Sequence, residues 1–453
     1  MPLTNSIPTL KLSFLPKWVW ACLFGCLYSL GAQGQQRWTL ADCLAFAQTH
    51  NLQVQQAGLL QDKSVVQQQA AKNAALPTLH ARVRTAGNWG FLIDPSTNEL
   101  SDEFNFGNQA ALNFNLNVVN GHATAYQGRL RRDQVAAATY DYQASSNALT
   151  VQILNAYLQV LLGQEQLRNA QQREEYAQEQ ERKVQAQVNK GVLSKRDLLH
   201  LQAQVSAESL LRVRAENSVE KALFALAQVV GLPFNESMAV QPVEIPTTWQ
   251  TTSLATPEAL VISATSLPDV KAAQAKVEAA QAAAQLGRAL YKPSLALTAQ
   301  LATRTSNYKP GGFDTQVLDN LNRRVGLALN VPVFNRFQLR TTDQLAKLEV
   351  ESAKLAYQQV ERDLKGKIMG VWLEYRAAAK TYQALAQQYA LISEEHRYGA
   401  KLLELGGISA VEYSLTRSRL ATAQSELVLA KYDCFFKQTL VGFYQGNGLP
   451  VGL

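Results

Sequence analysis

Along the chain the apolar positions follow two different periods. In Leu112-Asn113-Phe114-Asn115-Leu116-Asn117-Val118 apolar and polar residues alternate without a fault, and Leu79, Ala81 and Val83 alternate with His80, Arg82 and Arg84. Leu295, Leu297, Ala299 and Leu301 repeat the pattern, as do Val325, Leu327, Leu329 and Val331. A period of two puts the two sets of side chains on opposite faces of a strand, so four strands are predicted, near 78–86, 110–119, 294–303 and 324–333. Each is about 8 to 11 residues long, the length a tilted strand needs to cross a bilayer with lipid on one face and water on the other. A solvated hairpin would alternate in the same way, but a lone two-stranded hairpin is marginal in water.

Proline placement marks where the period changes. No proline occurs between Pro95 and Pro233, and none between Pro332 and Pro450, whereas one inside a helix would cost about 3 kcal/mol. Between Ala123 and Lys190 the spacing of Val135, Leu149, Ile153, Tyr157, Leu161, Leu167 and Val184 is heptad-like and suits a helix packed on neighbours. Long helices are therefore predicted over 121–190, 194–230, 336–405 and 409–445. At 1.5 Å per residue the longest would run roughly 100 Å, a length of use in crossing a periplasm and of none in a globular domain. Gly191-Val192-Leu193-Ser194 places a helix-ending glycine before an N-capping serine, and Gly406-Gly407-Ile408-Ser409 repeats this. Helices joined by so short a turn run antiparallel and pack as a coiled-coil hairpin. The turn-rich stretches Gly87 to Gly107 and Thr303 to Arg323 read as exposed loops, with Trp89, Phe91, Tyr308 and Phe313 as aromatics suited to a membrane rim.

These parts occur twice. Pro77-Thr78-Leu79 matches Pro293-Ser294-Leu295 at an offset of 216, and Val118-Val119-Asn120 matches Val333-Phe334-Asn335 at 215. Tyr142 with Tyr357, Tyr157-Leu158 with Trp372-Leu373, and the two glycine turns all hold the offset of 215. The mature chain reads as a tandem duplication, with copies at 35–232 and 256–453 and a proline-rich linker of little regular structure at 233–255.

Composition narrows the functional classes. The chain is 47% hydrophobic and only 17% charged, which fits long packed helices better than a compact enzyme. Its net charge of +7 is spread along the sequence and partly carried by Lys11 and Lys17, so it forms no patch of the kind nucleic acid requires. Those lysines precede an apolar run from Val19 to Tyr28 and the small residues of Ala32-Gln33-Gly34. Residues 1–34 thus predict a secretory leader cut before Gln35. Leu23-Phe24-Gly25-Cys26 also resembles a lipoprotein box, which would leave Cys26 lipidated; the later cut is preferred because apolar residues continue past Cys26. Beyond the leader no run of about 18 apolar residues offers a spanning helix, so any membrane entry must be by strands. Cys43 and Cys434 are too few for a disulfide framework, and His50, His80, His122, His200 and His396 lack metal-ligand spacing. No phosphate loop or nucleophile elbow suggests an enzyme, and no cofactor is expected.

The residues also resemble the TolC family of outer-membrane efflux proteins. Trp38-Thr39-Leu40-Ala41-Asp42-Cys43-Leu44 is similar to the start of mature members, as are the Pro-x-Leu before each strand pair, the exit Val331-Pro332-Val333-Phe334-Asn335, and the Gly-x-x-Ser tips. The resemblance covers essentially everything after residue 35. It implies a mainly helical chain with four strands, three copies of which form a 12-stranded barrel in outer-membrane lipid above a helical periplasmic tunnel. It implies a homotrimeric, passive duct that meets a periplasmic adaptor, and through it an inner-membrane pump, at Gly191, Val192, Leu193, Ser194, Gly406, Gly407, Ile408 and Ser409. It also suggests an acidic constriction past the tips, with Glu412 at the first acidic position and Asp197 as its counterpart. Here the sequence departs from the family's usual latch: Leu415 replaces the second acid, and Ile408 replaces the arginine that would pair with Asp197. A periplasmic adaptor would instead show one hairpin flanked by small β-domains, and a secreted coiled-coil scaffold would lack the four alternating strands.

Overall fold

The computed structural model describes residues 37–93, 98–102, 104–233, 238–243, 245, 266–307, 312–408 and 410–445. The expected leader, Cys26, most of 233–255, Tyr308 and Ser409 lie outside the described residues.

The chain opens with a two-residue strand β1 (Arg37–Trp38) and helix α1 (Leu40–His50). Thr39 caps α1 in a reciprocal box: its hydroxyl accepts from the Asp42 N–H at 3.1 Å, and the Asp42 carboxylate accepts from the Thr39 N–H at 3.2 Å. Asn51 ends α1 and starts α2 (Leu52–Asn73), its side-chain oxygen accepting from the Gln53 N–H. Then come β2 (Thr78–Asn88), a small β3 (Leu92–Ile93) and β4 (Leu100–Ser101) hairpin, and β5 (Asn105–Asn120). Helix α3 (Ala123–Asn189) and helix α4 (Lys195–Val230) follow, then β6 (Ala239–Val240). The second half repeats the order with α5 (Pro268–Ala289), β7 (Ser294–Ser306), a short α6 (Phe313–Asp319), β8 (Asn322–Asn330), α7 (Gln338–Glu404) and α8 (Ala410–Tyr444). Helices α3 and α7 both contain 67 residues and lie 215 residues apart at each end. Even the backbone at the strand-to-helix junctions repeats: Gly121 and His122 have positive φ, as do Arg336 and Phe337.

The main sheet has the order β2-β5-β7-β8, antiparallel throughout, so the two copies are joined strand to strand through β5 and β7. A bulge between Asn117 and Val119 shifts the pairing where the sheet gives way to helix. Helices continue the same sequence of neighbours, with α2 beside α3, α3 beside α5, and α5 beside α7. Further along, α4 packs on α3, α8 packs on both α3 and α7, and the two long hairpins lie side by side.

Two apolar cores hold this wall together. The larger joins Leu40, Cys43, Ile153, Val160, Leu226 and Phe436, and the smaller joins Val270, Leu364, Ile368, Cys434 and Val441. At the centre of the first, the buried Tyr157 hydroxyl donates to the Gln241 carbonyl at 2.5 Å, with the Trp38 carbonyl at 3.2 Å. Those carbonyls flank the parallel pair β1 and β6.

Several boundaries differ from the sequence-based expectation. The stretch 233–255 is not all unstructured, since β6 lies in it and Val240 and Val243 are buried; two paired residues are too few to leave a period. Strand β8 stops at Asn330 rather than 333, just before Pro332, which has no N–H to donate. Strands β5 and β7 run beyond the predicted 110 and 303, pairing to Gly107 and Ser306. The presumed loop from Thr303 to Arg323 contains α6, held by Gln316, whose Oε1 accepts from the Ser306 N–H at 2.9 Å.

Candidate functional site

The sheet has one apolar and one polar face, and the strand pairing fixes which residues share each. Paired residues project to the same side. On one side lie Leu79, Phe114, Ala299 and Val325 in one row, with Leu116, Leu297 and Leu327 to one side of it and Ala81, Leu112 and Leu301, ending in Arg323, to the other. On the other lie His80, Asn113, Gln300 and Arg324, with Thr78, Asn115 and Thr298 beside them. Leu79, Val83, Val325, Leu327 and Leu329 are all exposed in the single chain. An apolar sheet face of this extent is unstable against water.

Where the apolar face ends, polar groups take over: the Thr85 hydroxyl donates to Asn108, and the Asn108 amide donates to the Thr305 hydroxyl, across three strands. Just past this row Trp89 and Phe104 contact each other with centroids 4.8 Å apart, and Trp89, Phe91 and Phe313 are exposed. A polar row followed by aromatics is the order found at a membrane boundary.

At the opposite end of the molecule each long hairpin closes in the same motif. In the first tip the Val192 N–H donates to Gln187 O and the Gly191 N–H to Val188 O, both at 2.9 Å. In the second, the Gly407 N–H donates to Leu402 O at 2.8 Å and the Gly406 N–H to Leu403 O at 3.1 Å. Gly191 and Gly406 have φ of 72° and 71°, the left-handed conformation this double bond requires. Ser194 then starts α4 with a second reciprocal cap, its hydroxyl donating to the Asp197 carboxylate at 2.7 Å. That hydroxyl, and after it the Ser194 backbone N–H, holds the Asp197 carboxyl below its usual range. The structure therefore gives Asp197 a local capping role within its own tip. Glu412 lies in the first turn of α8 and is exposed. Val192 is exposed, Leu193 and Ile408 are half-buried, and the side chains near the second tip include a stacked pair, His396 on Tyr413, at 5.2 Å. Helix α3 is tied to α4 by Arg212 and Glu174 (2.6 Å) and by Arg173 and Glu208 (2.8 Å). Arg417 of α8 lies over the Tyr176 ring of α3.

This layout, a two-faced sheet above two equivalent helical hairpins, has clear counterparts. The sequence profile of the family described as outer membrane efflux protein matches residues 44–232 and 263–438, one segment in each copy. The chain belongs to that family. The pyoverdine export outer membrane protein OpmQ of Pseudomonas putida is 27% identical over 265 residues, covering 58% of this chain and 54%, about half, of that protein's length. Its namesake in Pseudomonas aeruginosa is 25% identical over 364 residues, 78% of this chain and 71% of that protein. The crystal structure of CusC shares the fold, with a TM-score of 0.73 at 15% identity over 90% of this chain and 91% of the other. As a member of this family the chain is a protein of the outer membrane. Among the described residues no helix is long and apolar enough to cross a membrane. A sheet with one apolar and one polar face has the alternation of a barrel wall that meets lipid on one side and water on the other.

Proposed function

We propose that three copies of the chain close into one duct through which solutes leave the periplasm. Four strands from each of three chains give a 12-stranded barrel, β8 of one copy pairing with β2 of the next. The observation that carries this reading is that the monomer is unfinished along both sides. Among the described residues strands β2 and β8 each have one neighbour, and an open edge is intolerable in hydrocarbon, where nothing else satisfies the backbone. The helical wall is unfinished on the same two sides. Helix α2 exposes Leu52, Leu59 and Val66 at intervals of seven, and α7 exposes Leu345, Leu348 and Leu355. Such stripes suit coiled-coil packing of α2 on α7 of an adjacent copy.

The helices below the barrel form the tunnel in this reading, and passage through it is passive. Energy comes from an inner-membrane pump, reached through a periplasmic adaptor that docks at Gly191, Val192, Leu193 and Ser194 and at Gly406, Gly407, Ile408 and Ser409. Glu412, with Asp197 of the other hairpin, supplies acidic groups to the tunnel mouth, Asp197 also serving its cap. The protein should fractionate with outer membranes and migrate as a trimer in mild detergent; a soluble monomer would overturn the proposal. Replacing Leu193 and Ile408 with Asp should abolish pump-dependent export while trimers persist. Loss of the trimer itself would mean that the tips serve folding and not docking.

A further inference from the structure

Strands β2, β5, β7 and β8 contain no aspartate or glutamate at all, yet they contain five arginines. Their distribution is uneven. Residues of one face alternate strictly with those of the other, and Arg82, Arg84, Arg304 and Arg324 all fall on the polar face with His80. Arg84 lies in one row with Gln109 and Arg304, and Arg324 lies in the next but one with Gln300, Asn113 and His80. Among the described residues none of these arginines forms an ion pair, and all four are exposed. Apart from His80, the remaining lining of that face is neutral: asparagine, glutamine, serine, threonine, alanine and glycine. The acidic groups nearest in sequence, Asp94, Glu99, Asp102, Glu103, Asp314 and Asp319, belong to the connections between the strands.

Like charges on one face with no compensating acid repel one another, a cost that counter-ions in the enclosed space relieve. A narrow aqueous passage walled by low-dielectric material focuses such a field, and rings of arginine are a general means of favouring anions in pores. We propose that the strand-lined section of the duct is an anion-preferring filter, and that the solutes it passes best carry carboxylate, phosphate or similar anionic groups. This rests on the duct reading, which turns the polar face toward the lumen and, through three copies of four arginines, lines it with twelve. The fifth arginine provides an internal control. Arg323 pairs with Leu301 and so lies on the apolar face, where it touches no passing solute.

The test is the reversal potential of the purified trimer in a planar bilayer under a potassium chloride gradient. It is measured in the native chain and in a Glu412→Gln background that removes an acidic group at the opposite mouth. The potential should lie toward that of chloride in the Glu412→Gln background. Changing Arg82, Arg84, Arg304 and Arg324 to Gln should lower the chloride-to-potassium permeability ratio by about threefold or more. Arg323→Gln should leave it unchanged. Replacing the four arginines by Lys should preserve the ratio, which separates charge from folding. Should the glutamine set fail to assemble, Arg304→Gln alone is expected to give a smaller shift in the same direction. Cation preference in the Glu412→Gln background, or an equal shift from Arg323→Gln, would overturn the filter while leaving the duct intact. Trimers that conduct nothing in any background would overturn the duct itself.

Discussion

Single residues decide how the start of the chain is fastened to the long helix. Tyr157 is 1% exposed and its hydroxyl donates to the Gln241 carbonyl just after β6, with the Trp38 carbonyl of β1 at 3.2 Å. Removing that hydroxyl leaves the Gln241 carbonyl without its donor in a closed core, at a cost of about 1–3 kcal/mol, while the Trp38 carbonyl keeps the Gln241 N–H at 3.0 Å. Tyr157→Phe should therefore lower the thermal midpoint of the detergent-solubilised protein by several degrees, and an unchanged midpoint would show that water satisfies the Gln241 carbonyl. The two buried cysteines make a pH prediction. Burial, and next to it the charge of Asp42, pushes the Cys43 thiol up to about 12; burial and Asp433 push Cys434 up to about 11. Both groups are free, and the folded state keeps their protons where an unfolded chain has lost them. Their contribution to stability is thus full below about pH 9 and is lost as pH rises through the folded values. At pH 8 iodoacetamide should modify neither Cys43 nor Cys434 in the folded protein and both after denaturation, read by peptide mass spectrometry.

At the scale of elements, the joint between strand and long helix is the least forgiving point. Gly121 has φ of +62°, and a Cβ there would lie 2.7 Å from the Ala289 carbonyl oxygen and 2.7 Å from Lys292 Cβ. The conformation alone costs an ordinary residue about 1–2 kcal/mol, and the close contact is with backbone that cannot rotate away. Gly121→Ala should reduce the amount of folded protein reaching the membrane. The equivalent Arg336 already occupies φ of +54°, so Arg336→Gly should relieve strain and raise the thermal midpoint slightly. This joint also shows what the sequence could convey. The absence of proline over more than a hundred residues, and the offset of 215 that aligns Gly191 with Gly406, were enough to reveal both hairpins and the strands preceding them. Helix α6 was not legible, because seven residues span two turns and its hold on the sheet depends on Gln316 meeting Ser306 across a connection. The pairing of β1 with β6 was equally hidden: two residues have no period, and the partner is some 200 positions away. Arg82 and Arg84 were visible as the polar half of an alternation. That Arg304 and Arg324 share their face required the pairing of β7 with β8 and β5.

For the whole molecule, the decisive quantity is the surface that a single chain leaves uncovered. Leu59 of α2 and Leu355 of α7 are 69% and 58% exposed, each within an apolar stripe that the single chain leaves open. If three copies close into a ring, every such position is used three times. Burying a leucine side chain is worth about 1.5–3 kcal/mol, so one position contributes about 5–9 kcal/mol to the trimer. A charge at the same place would have to be desolvated three times over unless it found a partner. Leu59→Glu and Leu355→Glu, made separately, should each convert the trimer to monomers in mild detergent, seen as a threefold fall in protein mass by light scattering. The same change at Leu198, buried within one chain, should instead act on the monomer by destabilising the α3 and α4 hairpin. Trimers that survive either edge substitution would show that α2 and α7 do not meet between copies. The open outer edges of β2 and β8 would then have to be covered by some other closure.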